Sequence, residues 1–83
     1  MLVQFFYDGV KSYTSSKGTR YADLFVRGVT DEGTPDFEQV KLRTFDEAVI
    51  QSCERLKPND VVGLDLTIKD ATVNCVRKQE VFL

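Results

Sequence analysis

The stretch TFDEAVIQSCERLKP, from Thr44 to Pro58, decides the fold because it carries the helix signal in a chain that otherwise has the pattern of strands. Thr44 followed three residues later by Glu47 is typical of a capping box at a helix N-terminus. Pro58 ends the helix, since proline cannot continue one. The apolar residues in between predict one buried stripe, with Phe45 and Ala48 near its start and Val49, Cys53 and Leu56 at helical spacing.

Two stretches before the helix predict strands whose faces differ. In YADLFVR (21–27) and FEQVKLR (37–43), one face is aliphatic and is predicted to meet a core: Ala22, Leu24, Val26, Val40 and Leu42. The opposite face carries rings and cations, with Asp23 as an exception: Tyr21, Phe25, Arg27, Phe37, Gln39, Lys41 and Arg43. Bases stack on rings and phosphates pair with cations, so this face favours a single-stranded nucleic acid as ligand.

The first strand occupies residues 2–14, and its Asp8-Gly9 pair leaves two structures open. The pair is either a tight hairpin turn or the point where one long strand bends. Polar turns at 15–18 and 30–36 flank a second strand at about 20–29, and a third runs from about 37 to 43. After the helix, a fourth strand contains Val62, Leu64, Leu66 and Ile68, and a fifth begins near Ala71 and contains Val73 and Cys75.

This order predicts a mainly β fold, a five-stranded OB-fold Greek-key barrel with one helix between strands 3 and 4. Its 83 residues are expected to form a single domain over positions 1–83. The rival is an α+β sandwich with a separate hairpin at Asp8-Gly9.

The amino-acid composition argues against several classes of function. The chain is 42% hydrophobic and 29% charged, as folded soluble proteins are. No apolar run approaches the ~20 residues of a membrane span, and the N-terminus lacks a signal-peptide pattern, so we expect a cytoplasmic protein with no membrane partner. Without histidine or a CxxC pair, neither a zinc site nor a Ser-His or Cys-His catalytic pair is expected. We therefore expect no cofactor and no enzymatic activity.

The net charge of −2 counts against nucleic-acid binding, but the charges are unevenly placed. Phosphates respond to a local basic patch over screening lengths of about 10 Å. The segment from residue 11 to residue 29 contains one acid, Asp23, and four cations: Lys11, Lys17, Arg20 and Arg27.

Three segments, with the helix between the last two, carry a family resemblance. SSKGTRY (15–21) resembles the connection between the first two strands of filamentous-phage helix-destabilising proteins. QVKLRTF (39–45), the helix, and LKPNDVVG (56–63) resemble bacterial single-stranded-DNA-binding domains, although the tryptophans of many bacterial members are missing here. The resemblance implies a small phage- or plasmid-type single-stranded-DNA-binding protein that acts in DNA replication, in the host cytoplasm if phage-encoded.

In that family the binding surface is the outer face of the second and third strands with the adjacent loops. The resemblance therefore implies a nucleic-acid-binding set of nine residues: Tyr13, Lys17, Arg20, Tyr21, Phe25, Arg27, Phe37, Lys41 and Arg43. Other interpretations stay open for several of them. Phe25 and Phe37 could serve a core or a dimer contact, Tyr21 could be a packing partner across strands, and Lys41 and Arg43 could be plain solubilising charges.

Four further expectations concern partners and alternatives. Apolar residues at both termini predict a homodimer: Phe5, Phe6, Tyr7, Val81, Phe82 and Leu83. RNA could replace DNA, since stacking is blind to the sugar. A protein-interaction module on the same barrel is the main alternative function, with Tyr21, Phe25 and Phe37 as its interface core. The weakest alternative function is an enzyme that would pair carboxylates such as Asp23, Glu38 and Asp65.

Overall fold

The strands of this chain form one antiparallel sheet in the order β3-β2-β1-β4-β5. A computed structural model describes residues 2–69 and 72–82, with the side chains of residues 2–66. Among the described residues, the one α-helix lies between β3 and β4, which confirms the predicted mainly β order. The elements are β1 (Leu2–Thr14), β2 (Arg20–Val29), β3 (Pro35–Thr44), α1 (Glu47–Glu54), β4 (Val61–Lys69) and β5 (Thr72–Phe82).

The sheet curls so that its two outermost strands approach each other. β3 and β5 are at opposite ends of the strand order, yet their backbones come into contact. Within the described residues, no helix is both long and apolar enough to cross a membrane.

The core lies on the predicted aliphatic face. Ala22, Leu24 and Val26 of β2 are fully buried, and β4 adds Val62, Leu64 and Leu66. The alternation in these two strands is therefore confirmed. From the helix, the buried side chains are Val49, Ile50 and Cys53.

β1 is one continuous strand, so a hairpin at Asp8-Gly9 is excluded. Its pairing with β2 shifts between Tyr7, which lies opposite Val26, and Gly9, which lies opposite Phe25. Asp8 is therefore the extra residue of a β-bulge. The bulge changes which positions face inward. Tyr7 is buried in the core, whereas the later odd-numbered residues Lys11 and Tyr13 share the outer face with β2.

The N-cap of the helix is two residues later than predicted, at Asp46 and not at Thr44. Asp46 is the N-cap, because its carboxylate accepts hydrogen bonds from the backbone of Ala48 at 2.9 Å and of Val49 at 3.5 Å. Thr44 is buried at the end of β3 instead, and its hydroxyl accepts from the Asp46 backbone N–H at 3.1 Å. The capping box was therefore wrong, since Thr44 still belongs to the sheet.

Three predicted core positions are exposed. Phe45 is 56% exposed because it precedes the N-cap, so the helical stripe does not extend to it. Ala48, on the first turn of the helix, is also exposed. Val40 is 41% exposed, because only the last part of β3, at Leu42 and Thr44, reaches the core.

The turn after the helix is fixed to β1 at the bulge. The Tyr7 backbone N–H donates to the Asp60 carbonyl at 2.8 Å, and the Asn59 N–H donates to the Tyr7 carbonyl at 2.7 Å. The Asp60 carboxylate accepts from the Lys57 backbone N–H at 2.9 Å and closes the turn. Both backbone groups of Tyr7 are therefore satisfied where β1 changes its register.

Several predictions concern side chains that lie outside the described residues. They are the inward alternation of Ile68, Val73 and Cys75 and the apolar C-terminus at Val81, Phe82 and Leu83. Phe5 and Tyr7 are buried within this single chain, so these two residues do not require a second copy to cover them.

Candidate nucleic-acid interface

The outer face is the side of β1, β2 and β3 that points away from the core. Its residues form rows across the three strands, because directly opposed residues of antiparallel strands point to the same side. One row is Lys11, Asp23 and Arg43, and the next is Gly9, Phe25 and Lys41. A third row joins Phe6, Arg27 and Gln39, and the pair Tyr13 and Tyr21 lies beyond the first.

An aromatic cluster of Tyr13, Tyr21 and Phe45 stands at one end of the outer face. The rings of Tyr13 and Tyr21 stack with centroids 5.4 Å apart and planes 23° from parallel. The ring of Phe45 is 5.7 Å from that of Tyr21 and tilted by 39°. Two cations lie over the cluster, with Lys11 Nζ 5.6 Å from the Tyr13 centroid and Arg43 Cζ 4.8 Å from that of Tyr21. Rings and cations therefore lie together on this face, and a surface that binds nucleic acid needs both.

Arg43 is held in place by Asp23, the one acid in the predicted face of rings and cations. Asp23 is only 4% exposed, and its Oδ1 and Oδ2 accept from Arg43 Nε at 3.0 Å and Nη2 at 3.4 Å. A buried carboxylate needs such a partner, because an unpaired one is costly to remove from water. These hydrogen bonds raise the pKa of Arg43 above its usual range.

The two other arginines of the predicted set are also paired with acids. Arg27 Nη2 lies 2.9 Å from Asp8 Oδ1, and Asp8 Oδ2 also accepts from Gln39 at 3.0 Å. Arg20 reaches away from the outer face and pairs with two helix carboxylates, Glu47 and Glu54. Hydrogen bonding to Glu54 is the main cause that raises the pKa of Arg20. The charge of each predicted arginine is therefore neutralised within the chain.

The lysines differ from the arginines. Lys11, Lys17 and Lys41 are exposed, and none forms an ion pair with another side chain in the 2–66 segment. Lys17 is in the turn before β2, which is closed by the Gly18 N–H donating to the Ser15 carbonyl at 2.9 Å. Gly18 has φ of +84°, a conformation that glycine adopts without strain. Among the cations of the outer face and the β1–β2 turn within residues 2–66, these three lysines are left without a carboxylate partner.

Phe25 and Lys41 are neighbours in one row and lie next to an open space. Phe25 is half-buried, and Lys41 is directly opposite it on β3. On its other side is Gly9, where an added Cβ would meet no atom within 4 Å. The row therefore combines a half-buried ring, an exposed cation and open space above Gly9.

Phe37 is not part of the cluster. It is 102% exposed and lies near the β2–β3 turn, beyond the register shift that follows Arg27. The alternative of a buried Phe37 is therefore wrong for the isolated chain.

Sequence reasoning missed two members of the site. Phe45 was assigned to the helix core, although its position just after Lys41 and Arg43 in the alternation of β3 could have placed it on the outer face. Lys11 counts among the local cations but not in the predicted binding set, and its place opposite Asp23 depends on the bulge at Asp8.

Comparison with known proteins finds a structural likeness only. No family model matches the chain. No curated protein sequence matches it either. A solved structure of the mitochondrial single-stranded DNA-binding protein Rim1 from S. cerevisiae superposes with a TM-score of 0.76 over 99% of this chain and 91% of that one, at 13% identity. A second Rim1 structure gives 0.70 over 98% and 90%, at 14% identity.

At this identity the likeness shows the fold alone. It supports an architecture like that of single-stranded-DNA-binding proteins, with an OB-fold-like sheet and the helix between the third and fourth strands. The roles of individual residues depend on the geometry described above and stay predictions.

Proposed function

We propose that this protein binds single-stranded DNA on the outer face of β1, β2 and β3, without strong sequence preference. The observation that carries the proposal is the aromatic cluster of Tyr13, Tyr21 and Phe45, with Lys11 and Lys41 in the next two rows of the same face, both without an ion pair to another side chain in the 2–66 segment. Stacking on such rings contributes about 1–3 kcal/mol per base and is tolerant of sequence. Lys11, Lys17 and Lys41 supply the phosphate contacts.

The structural likeness supports the same ligand. Rim1 is named as a mitochondrial single-stranded DNA-binding protein, and its fold extends over nearly the whole of this chain. Because one fold hosts many functions, the ligand is assigned from the outer face and not from the fold.

Finer parts of the proposal come from the sequence resemblance. We place the protein in phage or plasmid DNA replication, in the host cytoplasm, as a homodimer that acts by binding and not by catalysis. The strands would form a closed OB barrel, which the approach of β3 to β5 supports. RNA is the alternative ligand, and competition with oligo-U would distinguish it.

The test is a fluorescence-anisotropy titration of labelled oligo-dT at low and high salt, with duplex DNA as competitor. We expect binding that weakens steeply with salt and ignores the duplex. Lys41→Gln should lower the slope of log affinity against log salt by about 0.7, the value for one phosphate contact on a single strand. Arg55→Gln, which removes a charge at the helix C-cap, is the matched control and should leave the slope unchanged.

Absence of binding even at low salt would overturn the proposal. The outer face would then be assigned to a protein partner, and the exposed side chains of Phe37 and Phe45 would be its first candidates.

A further inference from the structure

Arg43 occupies an unusual position for a phosphate-binding residue. Its guanidinium is fixed on two sides, by the carboxylate of Asp23 at 3.0 Å and by the ring of Tyr21, whose centroid is 4.8 Å from Cζ. The carboxylate cancels much of its charge. The Arg43 side chain is nevertheless 45% exposed, and its end is a planar group.

The pair is also difficult to separate. The side chain of Asp23 is 6% exposed, so release of Arg43 to a phosphate would leave a buried carboxylate without its ion-pair partner. Lys11, opposite Asp23 on β1, instead lies over the Tyr13 ring. Arg43 is therefore expected to keep its place when a ligand binds.

We propose that Arg43, positioned by Asp23 and Tyr21, is a stacking platform for a nucleic-acid base and not a phosphate anchor. This inference rests on the proposed function and assigns a role within the same face. A planar guanidinium stacks on flat rings, which the ammonium of lysine does not do.

The position of Arg43 suits one of several successive stacking surfaces along the outer face. Residues of one strand that share a face are about 7 Å apart. The level of Asp23 and Arg43 lies between that of Tyr21 and that of Phe25, and the Arg43 guanidinium lies over the Tyr21 ring, so Arg43 and Phe25 would form successive stacking surfaces along the outer face. Lys11 and Lys41 lie on either side of this line and are left to contact the phosphates.

The test compares wild type with Arg43→Lys, which keeps the charge and the ability to pair with Asp23 but removes the plane. Two ligands are used at low salt: oligo-dT, and a base-free oligonucleotide of the same length with an abasic sugar at every position. We expect Arg43→Lys to bind oligo-dT roughly 5- to 150-fold more weakly, the loss of one stacked base. Its affinity for the base-free strand should equal that of wild type.

Other outcomes would overturn the inference. Wild-type-like binding of oligo-dT by Arg43→Lys would show that the positive charge of residue 43, and not its plane, serves the DNA phosphates. An equal loss of affinity for both ligands would likewise assign Arg43 to the sugar-phosphate backbone of the DNA. If wild type itself does not bind oligo-dT, the proposed function fails first, and the two failures are thus distinguishable.

Asp23→Asn supplies a second measurement that does not depend on the Arg43→Lys variant. The amide still accepts a hydrogen bond, but the charge of Arg43 is no longer cancelled. The salt slope for oligo-dT should therefore become steeper by about 0.7, the contribution of one added cation. An unchanged slope would show that Asp23 does not neutralise Arg43.

Discussion

Arg20 Nη2 lies 2.6 Å from Glu54 Oε1, and this contact ties the first residue of β2 to the last residue of α1. The same guanidinium pairs with Glu47 at 2.6 Å through Nη1, so both ends of the helix are connected to one strand. Arg20 therefore braces the helix against the sheet, although its position beside the turn predicted a phosphate contact.

Replacement of Arg20 by Gln should change stability but not the salt dependence of DNA binding. We expect a lower thermal midpoint at low salt, with a smaller difference from wild type as salt screens the two exposed ion pairs. Lys17→Gln, in the adjacent turn, should do the reverse and lower the salt slope for oligo-dT with no change in midpoint. A reduced slope for Arg20→Gln would return Arg20 to the binding set.

Phe45→Ala should weaken DNA binding without unfolding the protein. The ring is more than half exposed and contacts Tyr21, so its removal takes away cluster surface but little core. Leu42, three residues earlier, is 1% exposed, and Leu42→Ala should cost about 2–5 kcal/mol of unfolding free energy. Urea denaturation and oligo-dT titration of both variants separate the two effects. A large loss of stability in Phe45→Ala would place that ring in the core after all.

A large side chain at Gly9 should block the space beside Phe25. Because an added Cβ meets no neighbour within 4 Å, Gly9→Ala should fold normally and bind as wild type does. Gly9→Leu should extend over the neighbouring ring and reduce affinity for oligo-dT. Equal affinity of the two variants would show that no base enters this space.

The protein should lose stability in alkaline solution. Burial is the main cause that raises the pKa of Tyr7 from 10.0 to about 12 and that of the Cys53 thiol from 9.0 to about 12. The unfolded chain therefore releases these protons first as the pH rises. Their stabilising contribution is complete below about pH 9 and is lost progressively up to about pH 12.

Urea midpoints measured between pH 7 and pH 10.5 test this expectation. Tyr7→Phe combined with Cys53→Ala removes both titrating groups, so its midpoint should fall less over the same interval. Parallel curves for wild type and the double variant would mean that other groups cause the alkaline loss.

The true helix cap can be tested with one pair of variants. Asp46→Ala should cost about 0.5–2 kcal/mol of unfolding free energy, because the N–H groups of Ala48 and Val49 lose their acceptor. Asp46→Asn retains a side-chain oxygen and should cost much less. If the two variants were equally destabilised, the carboxylate charge at the helix N-terminus would be the main contribution.

The alternation of β2 could be predicted from the sequence because a strand buried on one face repeats every two residues. Leu24 and Val26 face the core for that reason. The helix between the third and fourth strands was likewise marked locally, by its apolar spacing and by Pro58. The N-cap was misplaced because Thr44 and Asp46 are both good cap residues, and only the end of β3 distinguishes them.

The pairing of the arginines could not be predicted. Arg20, Arg27 and Arg43 find acids that are 34, 19 and 20 residues away in the sequence, respectively. Such partners depend on strand register and on where the helix packs. Sequence patterns therefore identified a basic face but could not show which of its charges are already neutralised.

The bulge at Asp8 has a consequence for how this chain tolerates change. Residues on the outer face can be exchanged one at a time without disturbing the core beneath them. Loss of Asp8 would only remove the bulge, since Tyr7 and Gly9 already pair with adjacent residues of β2. An insertion of one residue after Gly9 is different, because the rest of β1 would turn over and carry Lys11 and Tyr13 toward the interior. Across natural variants of this sequence, substitutions on the outer face should thus be common, whereas insertions within β1 should be nearly absent.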